Sequence, residues 1–307
     1  MATVQITTWD EFKTALTETI TEATTYEIMN DIDASNEIVT SAIAMVCNTD
    51  TSLSLTKTFN GNGYKINGIT SYSSINIFIS RYNFLRSQFI TFNNLHFTNY
   101  MIENGALFAP YGDTGYSNTF RFYRCFFNGF SNSFITRTTG GSTSNWPQQT
   151  VFDSCAFNIE VTSTAFNWMV NLSNCYIEID NSRASSGGSF CYAQSEMNNC
   201  YLSGTWKSNW SYLLNGVSYS YGSNYHYSKN NVLNLELSTT ETSSPVYLFS
   251  GINATSSSAA PNLINGDKLA LSSTQSLYNI AGQYQLTDAQ LKSKAYIQEN
   301  TSFPLYG

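Results

Sequence analysis

Positive charge is scarce in this sequence. Among 307 residues there are 14 Lys and Arg against 21 Asp and Glu, giving a formal charge of −7. The few cations form no run, and a surface of this sign repels a polyanion, so nucleic acid is excluded as a partner. Long apolar runs are absent as well. No stretch approaches the ~18 residues that span a bilayer, so membrane insertion is not expected. The start, Met1-Ala2-Thr3-Val4-Gln5-Ile6, lacks a basic segment followed by an apolar one. No signal peptide is therefore expected. Histidine occurs twice, as His96 and His226, and no Cys-x-x-Cys is present. That leaves no zinc site and no cofactor to predict. Only 11% of residues are charged, and Lys and Glu, the usual material of exposed helices, are few.

Aromatic residues reach 15% and hydrophobic residues 42%, while Asn, Ser and Thr supply most of the polarity. Strand formers with Asn, Ser and Gly for turns predict an all-β protein. A short pattern recurs: an apolar residue, two polar or turn residues, a small apolar one, any residue, then usually an apolar one. It is found as Ile66-Asn67-Gly68-Ile69, Phe92-Asn93-Asn94-Leu95 and Phe122-Tyr123-Arg124-Cys125. It returns as Phe152-Asp153-Ser154-Cys155, Leu172-Ser173-Asn174-Cys175 and Met197-Asn198-Asn199-Cys200. Intervals between the small apolar positions are 26, 30, 30, 20 and 25 residues, each near one coil of a solenoid. Period-2 alternation flanks each copy, so one set of side chains points inward. The pattern predicts one inward column, Ile69-Leu95-Cys125-Cys155-Cys175-Cys200, of buried thiols and aliphatics without disulfides. The fold class expected is a single-stranded right-handed parallel β-helix. A β-sandwich of Asn-rich hairpins is the competing architecture, but it gives no reason for Cys to recur at one turn offset.

The ends divide the chain into three. Residues 1–23 form an N-terminal cap, in which Thr8-Trp9-Asp10-Glu11 reads as a capping box starting a helix over 8–19. Trp9, Phe12, Ala15 and Leu16 share its buried face. Residues 24–255 form the solenoid. Residues 256–307 form a linker and an attachment or cap segment, less regular than the coils, with a short helix beginning near Thr287.

The order of a helix, then Tyr26-Glu27-Ile28-Met29-Asn30-Asp31-Ile32-Asp33, then Phe59-Asn60-Gly61-Asn62-Gly63-Tyr64-Lys65-Ile66 resembles the opening of pectin-lyase-like right-handed β-helices. Leu286-Thr287-Asp288-Ala289-Gln290-Leu291 with Phe303-Pro304 is similar to segments that close such domains. The resemblance implies the kind of protein found in bacteriophage fibres, spikes and appendages, or on bacterial surfaces. It carries over no catalytic residue. Asn48-Thr49-Asp50 matches one hydrolase motif of the fold, but its companion Asp-Asp and Gly-His-Gly motifs are missing.

Two candidate sites remain. Glu160 and Asp180 both lie five residues past a column cysteine, so adjacent coils would stack them outward. Carboxyls ~5 Å apart are the spacing of a retaining glycosidase, whereas a single outward pair also suits a solvated surface. Tyr219, Tyr221, Tyr225 and Tyr227, set among Ser, Gly and Asn, suit contact with sugars or proteins. The function expected is that of a bacteriophage virion structural protein: a fibre, appendage or capsid-decorating module, not an enzyme. It would be assembled in the host cytoplasm, with other virion proteins, host-surface polysaccharide or further copies of itself as partners. A tailspike-type polysaccharide depolymerase and a bacterial surface adhesin are the alternatives.

Overall fold

The computed structural model describes residues 2–48, 55–80, 89–110, 119–136, 150–167, 170–184, 190–192 and 195–208, with Asn231 and the strands named below as far as Gln285. Every described ladder is parallel. That pairing needs a crossover between partners and rules out a hairpin sandwich. The chain is an all-β parallel β-helix. It divides into two compact units, Met1–Cys155 and Ala156–Gly307.

In the first unit one ladder runs through Ala2–Ile6, Thr24–Ile28, Thr56–Asn60, Phe89–Asn93, Thr119–Tyr123 and Thr150–Asp153, each strand pairing with the next. Across a bend a second ladder joins Ile32–Asp33, Lys65–Asn67, His96–Ala109 and Phe126–Thr136. The inward parity of the first ladder stacks ring on ring. Tyr26, Phe59, Phe92, Phe122 and Phe152 follow one another at centroid distances of 4.8, 5.2, 5.1 and 4.8 Å. These spacings are close to the ~4.8 Å between strands, so identical inward residues on successive coils must stack. Phe97 and Phe127 form a second stack at 5.6 Å. Phe108 sits edge-on between the two, 4.8 Å from Phe122 and 6.1 Å from Phe127.

The cap forms as the sequence predicts, though shorter. The helix α1 spans Trp9–Thr17, with Thr8 as N-cap and the Glu11 side chain returning to the Thr8 backbone. Trp9, Phe12, Ala15 and Leu16 are its buried residues. Phe12 meets Phe59 edge-on at 5.4 Å and Phe78 at 6.4 Å, so the helix closes the aromatic core. Its C-terminal carbonyls meet a buried cation. Lys57 is wholly buried, and its Nζ donates to the carbonyls of Ala15 at 2.5 Å, Leu16 at 3.4 Å and Glu18 at 2.6 Å. Burial lowers the Lys57 pKa to about 8. The ammonium stands at the negative end of the helix dipole and supplies donors for carbonyls that no helical turn can satisfy.

In the second unit three ladders are described. One joins Val170–Ser173, Ser195–Asn198, His226–Lys229 and Ile264–Asn265. Another joins Ala156–Val161, Tyr176–Asp180, Tyr201–Ser208, Val232–Thr239 and Lys268–Leu271, and then Tyr284–Gln285. The third joins Phe166–Asn167, Cys191–Tyr192, Tyr212–Asn215 and Tyr247–Phe249. Three strands of the 256–307 segment thus pair in parallel with earlier coils. Its expected helix near Thr287 lies outside the described residues.

The inward column needs one correction. Leu95, Cys125 and Cys155 do succeed one another in the first unit, and Cys175 and Cys200 in the second, because their neighbours pair in register. Ile69 belongs elsewhere. Ile66 pairs with Phe97, and Met101 donates its N–H to the Ile69 carbonyl. Ile69 therefore lies level with Tyr100, at a later bend, and Tyr100 pairs with Gly129. Opposite Leu95 is Gly61, where an added Cβ would lie 2.3 Å from the Leu95 Cα. Both bends place a positive-φ residue before an apolar one, Gly68 (φ 82°) before Ile69 and Asn94 (φ 47°) before Leu95. Their local sequences therefore look alike.

Candidate functional site

The site begins at the bend between the first two ladders. Asn94, Arg124 and Ser154 have φ of 47°, 55° and 55°, and in the second unit Asn174 and Asn199 have 54° and 53°. The left-handed conformation reverses the side-chain parity. The residue after it (Leu95, Cys125, Cys155, Cys175 or Cys200) turns inward and is buried. The backbone at the bend is tied to the next coil, with Asn94 N–H donating to the Tyr123 carbonyl at 2.8 Å and Arg124 N–H to Asp153 at 3.0 Å. The cysteines answer a polar need there. Cys125 Sγ donates to the Phe92 carbonyl, Cys155 Sγ to that of Phe122 and Cys200 Sγ to that of Leu172, each at 3.4 Å. A thiol is small enough for the column and adds a weak donor to a carbonyl of the neighbouring coil. All six cysteines are buried and free. Burial raises the Cys47 thiol to about 11 and the Cys200 thiol well above its ordinary value, the latter helped by Cys175.

Two outward rows meet at this bend in the first unit: the last residues of the strands, Asn93, Tyr123 and Asp153, and the left-handed residues Asn94, Arg124 and Ser154. Together these six line an open cleft of about 350 Å³. At its N-terminal side the outer face is already knitted together. Asn60 Nδ2 donates to Glu27 at 2.7 Å and Asn93 Nδ2 to Asn60 Oδ1 at 3.1 Å. At the other side Ser154 Oγ donates to Asp153 Oδ1 at 3.1 Å. Between them Arg124 is exposed, and its side chain makes no hydrogen bond or ion pair among the described residues. The side chains of Asn94 and Tyr123 make none either. The sequence pattern contains all six residues but does not mark them. The available signal is Arg124 itself, which occupies a position filled by Asn94, Asn174 and Asn199 in other coils.

Glu160 and Asp180 are brought together as expected, directly opposite each other in the ladder. Each is already engaged. Arg183 Nε lies 2.8 Å from Glu160 Oε1, and Asp180 Oδ1 accepts from Ser182 N–H at 2.7 Å. Of the tyrosines, Tyr219, Tyr221 and Tyr225 lie outside the described residues. Tyr227 is in the strand His226–Lys229, where its backbone pairs with Glu196. Asn48 is buried and its amide donates to the Ile20 carbonyl, a structural use, while Thr49 and Asp50 lie outside the described residues. Among the described residues no cluster of His, Cys, Asp or Glu could hold a metal ion.

Residues 3–123 match a family described as "Putative pectate lyase-like adhesive domain". The fold is the pectin-lyase-like parallel β-helix. Among solved structures, a "putative immunoglobulin A1 protease from Bacteroides ovatus" aligns at 13% identity and a TM-score of 0.45, covering 92% of this chain and 80% of the other. No curated protein matches the chain.

Proposed function

We propose that this pectin-lyase-like β-helix is a non-enzymatic adhesive platform whose outer faces and bends make contact with a surface. The match of residues 3–123 to an adhesive domain carries the reading. Two further observations support it. The sequence has neither the Asp-Asp nor the Gly-His-Gly of the fold's hydrolases. Its stacked carboxylate pair is engaged by Arg183 and the Ser182 backbone.

We place the platform on a bacteriophage virion, as a fibre, appendage or capsid-decorating module touching other virion proteins and host-surface polysaccharide. Six buried free thiols suit a chain that folds in a reducing cytoplasm, where virions are assembled. A bacterial surface adhesin is the second reading, favoured by the same family match. Labelled full-length chain is expected to bind intact bacterial cells and to release no new saccharide ends from their polysaccharide. Saccharide release that disappears in the Glu160→Gln, Asp180→Asn double variant would overturn the non-enzymatic reading. Mass spectrometry of purified virions tests the placement, and finding the chain only on bacterial cell surfaces transfers it to the second reading.

A further inference from the structure

The cleft at Arg124 is the place where hydrogen-bonding capacity gathers without being used. Asn94, Tyr123 and Arg124 line it, and their side chains make no hydrogen bond or ion pair among the described residues. Arg124 also holds an unfavourable backbone. An exposed Arg at φ 55° occupies a region that L-residues other than Asn and Asp visit at a cost. The other described bends of this row use Asn or Ser. A strained cation without a structural partner, on the wall of a cleft, points to a ligand.

We propose that this cleft is a binding subsite for a neutral oligosaccharide, resting on the adhesive reading above. Charge selects the class. One guanidinium and one carboxylate, Arg124 and Asp153, cancel within the lining. The chain as a whole is at −7. An acidic polymer is therefore opposed by the overall field and by Asp153. Hydroxyl groups, which both donate and accept, suit four of the six lining residues: Asp153 accepts from them, Arg124 donates, Asn94 does both, and the Tyr123 ring offers a flat face to sugar C–H groups. A volume of about 350 Å³ is at the small end of ligand clefts, which suits one or two sugar rings of a longer chain.

The test is affinity electrophoresis of the full-length protein in native gels containing dextran, mannan, galactan or polygalacturonate. Wild type is expected to be retarded by at least one of the three neutral polymers. Arg124→Asn and Tyr123→Ala should each weaken that retardation about tenfold, the loss expected for a charged hydrogen bond or a stacked ring. Arg124→Asn restores the residue used at sister bends, so its melting temperature should hold or rise, and lost binding is then not lost folding. Equal retardation of wild type and both variants overturns the cleft and leaves the adhesive reading standing. Retardation by polygalacturonate alone overturns the neutral class. No retardation by any polymer, in a protein that still binds cells, overturns the subsite but not the platform; loss of cell binding as well overturns both.

Discussion

Single residues at the bends do two jobs that pull in different directions. Arg124 holds a left-handed conformation suited to Asn. The Arg124→Asn change is therefore expected to stabilise the protein by about 0.5–1 kcal/mol, read as a higher urea midpoint at unchanged slope. The buried thiols set a second residue-scale expectation. In the folded chain Cys47 stays protonated to about pH 11, against an ordinary value of 9.0. A group whose folded pKa is raised contributes stability that is complete below the unfolded pKa and is lost as pH rises through the folded one. Between pH 9 and 11 wild type should therefore lose about 2–3 kcal/mol that Cys47→Ala does not lose. The comparison is made by urea unfolding of both proteins at each pH. Lys57 runs the other way. Its depressed pKa adds stability as pH rises from about 8 toward 10.5, so the thiol effect is read from the difference between the two proteins. None of the six thiols is expected to react with iodoacetamide until the chain unfolds, because all are buried.

At the scale of elements, helix and strands differ in how openly the sequence announces them. The helix α1 is legible in full: a capping box, a buried face at helical spacing and no strong breaker. What ends it is not legible as a helix signal. Lys57 lies forty residues on, in Thr56-Lys57-Thr58-Phe59, where strand alternation does place it inward beside Phe59. An inward lysine reads as an error until the helix above it is known to present bare carbonyls. Lys57→Met leaves those of Ala15 and Glu18 without this donor, while that of Leu16 keeps the Val46 N–H. It is expected to destabilise the first unit by about 2–4 kcal/mol, with hydrogen exchange rising first over Trp9–Thr17. The aromatic stack is the strand counterpart. Phe122 touches Phe92 and Phe152 face to face and Phe108 edge-on. Phe122→Ala should cost about 3–5 kcal/mol in urea unfolding. Column membership was legible for Leu95 and the cysteines but not for Ile69. Two different bends share the rule of a left-handed residue before an apolar one, and spacing alone cannot tell which corner of a coil is being turned.

For the molecule as a whole, composition and repeat were enough to reach a parallel β-helix, because a small apolar residue recurring at one turn offset fits stacked coils and has no place in a hairpin sandwich. Composition could not reach the cleft. A solenoid conceals its core pattern from no one, yet its outer residues are free of periodic constraint, so function leaves no rhythm to read. The candidates sought by chemistry, the carboxylate pair at Glu160 and Asp180, proved to be neighbours tied up with Arg183 and Ser182. Since coils lean on their immediate neighbours, the N-terminal cover matters for solubility. Removing residues 1–19 takes away the strand Ala2–Ile6 and the helix together, leaving Thr24–Ile28 as a bare edge. The shortened chain is expected to self-associate in light scattering where the full chain does not.

The left-handed bend has a consequence for how such a surface can change over generations. Each described bend of the row Asn94, Arg124, Ser154, Asn174 and Asn199 carries a position whose backbone is fixed by the fold, whose side chain lies at the surface, and whose successor is locked into the interior. Asn, Ser and Arg all occupy it, each above a small buried residue, Leu or Cys. A lineage can thus rewrite what the molecule presents, one coil at a time along a line of slots ~4.8 Å apart, while the hydrophobic interior is inherited untouched.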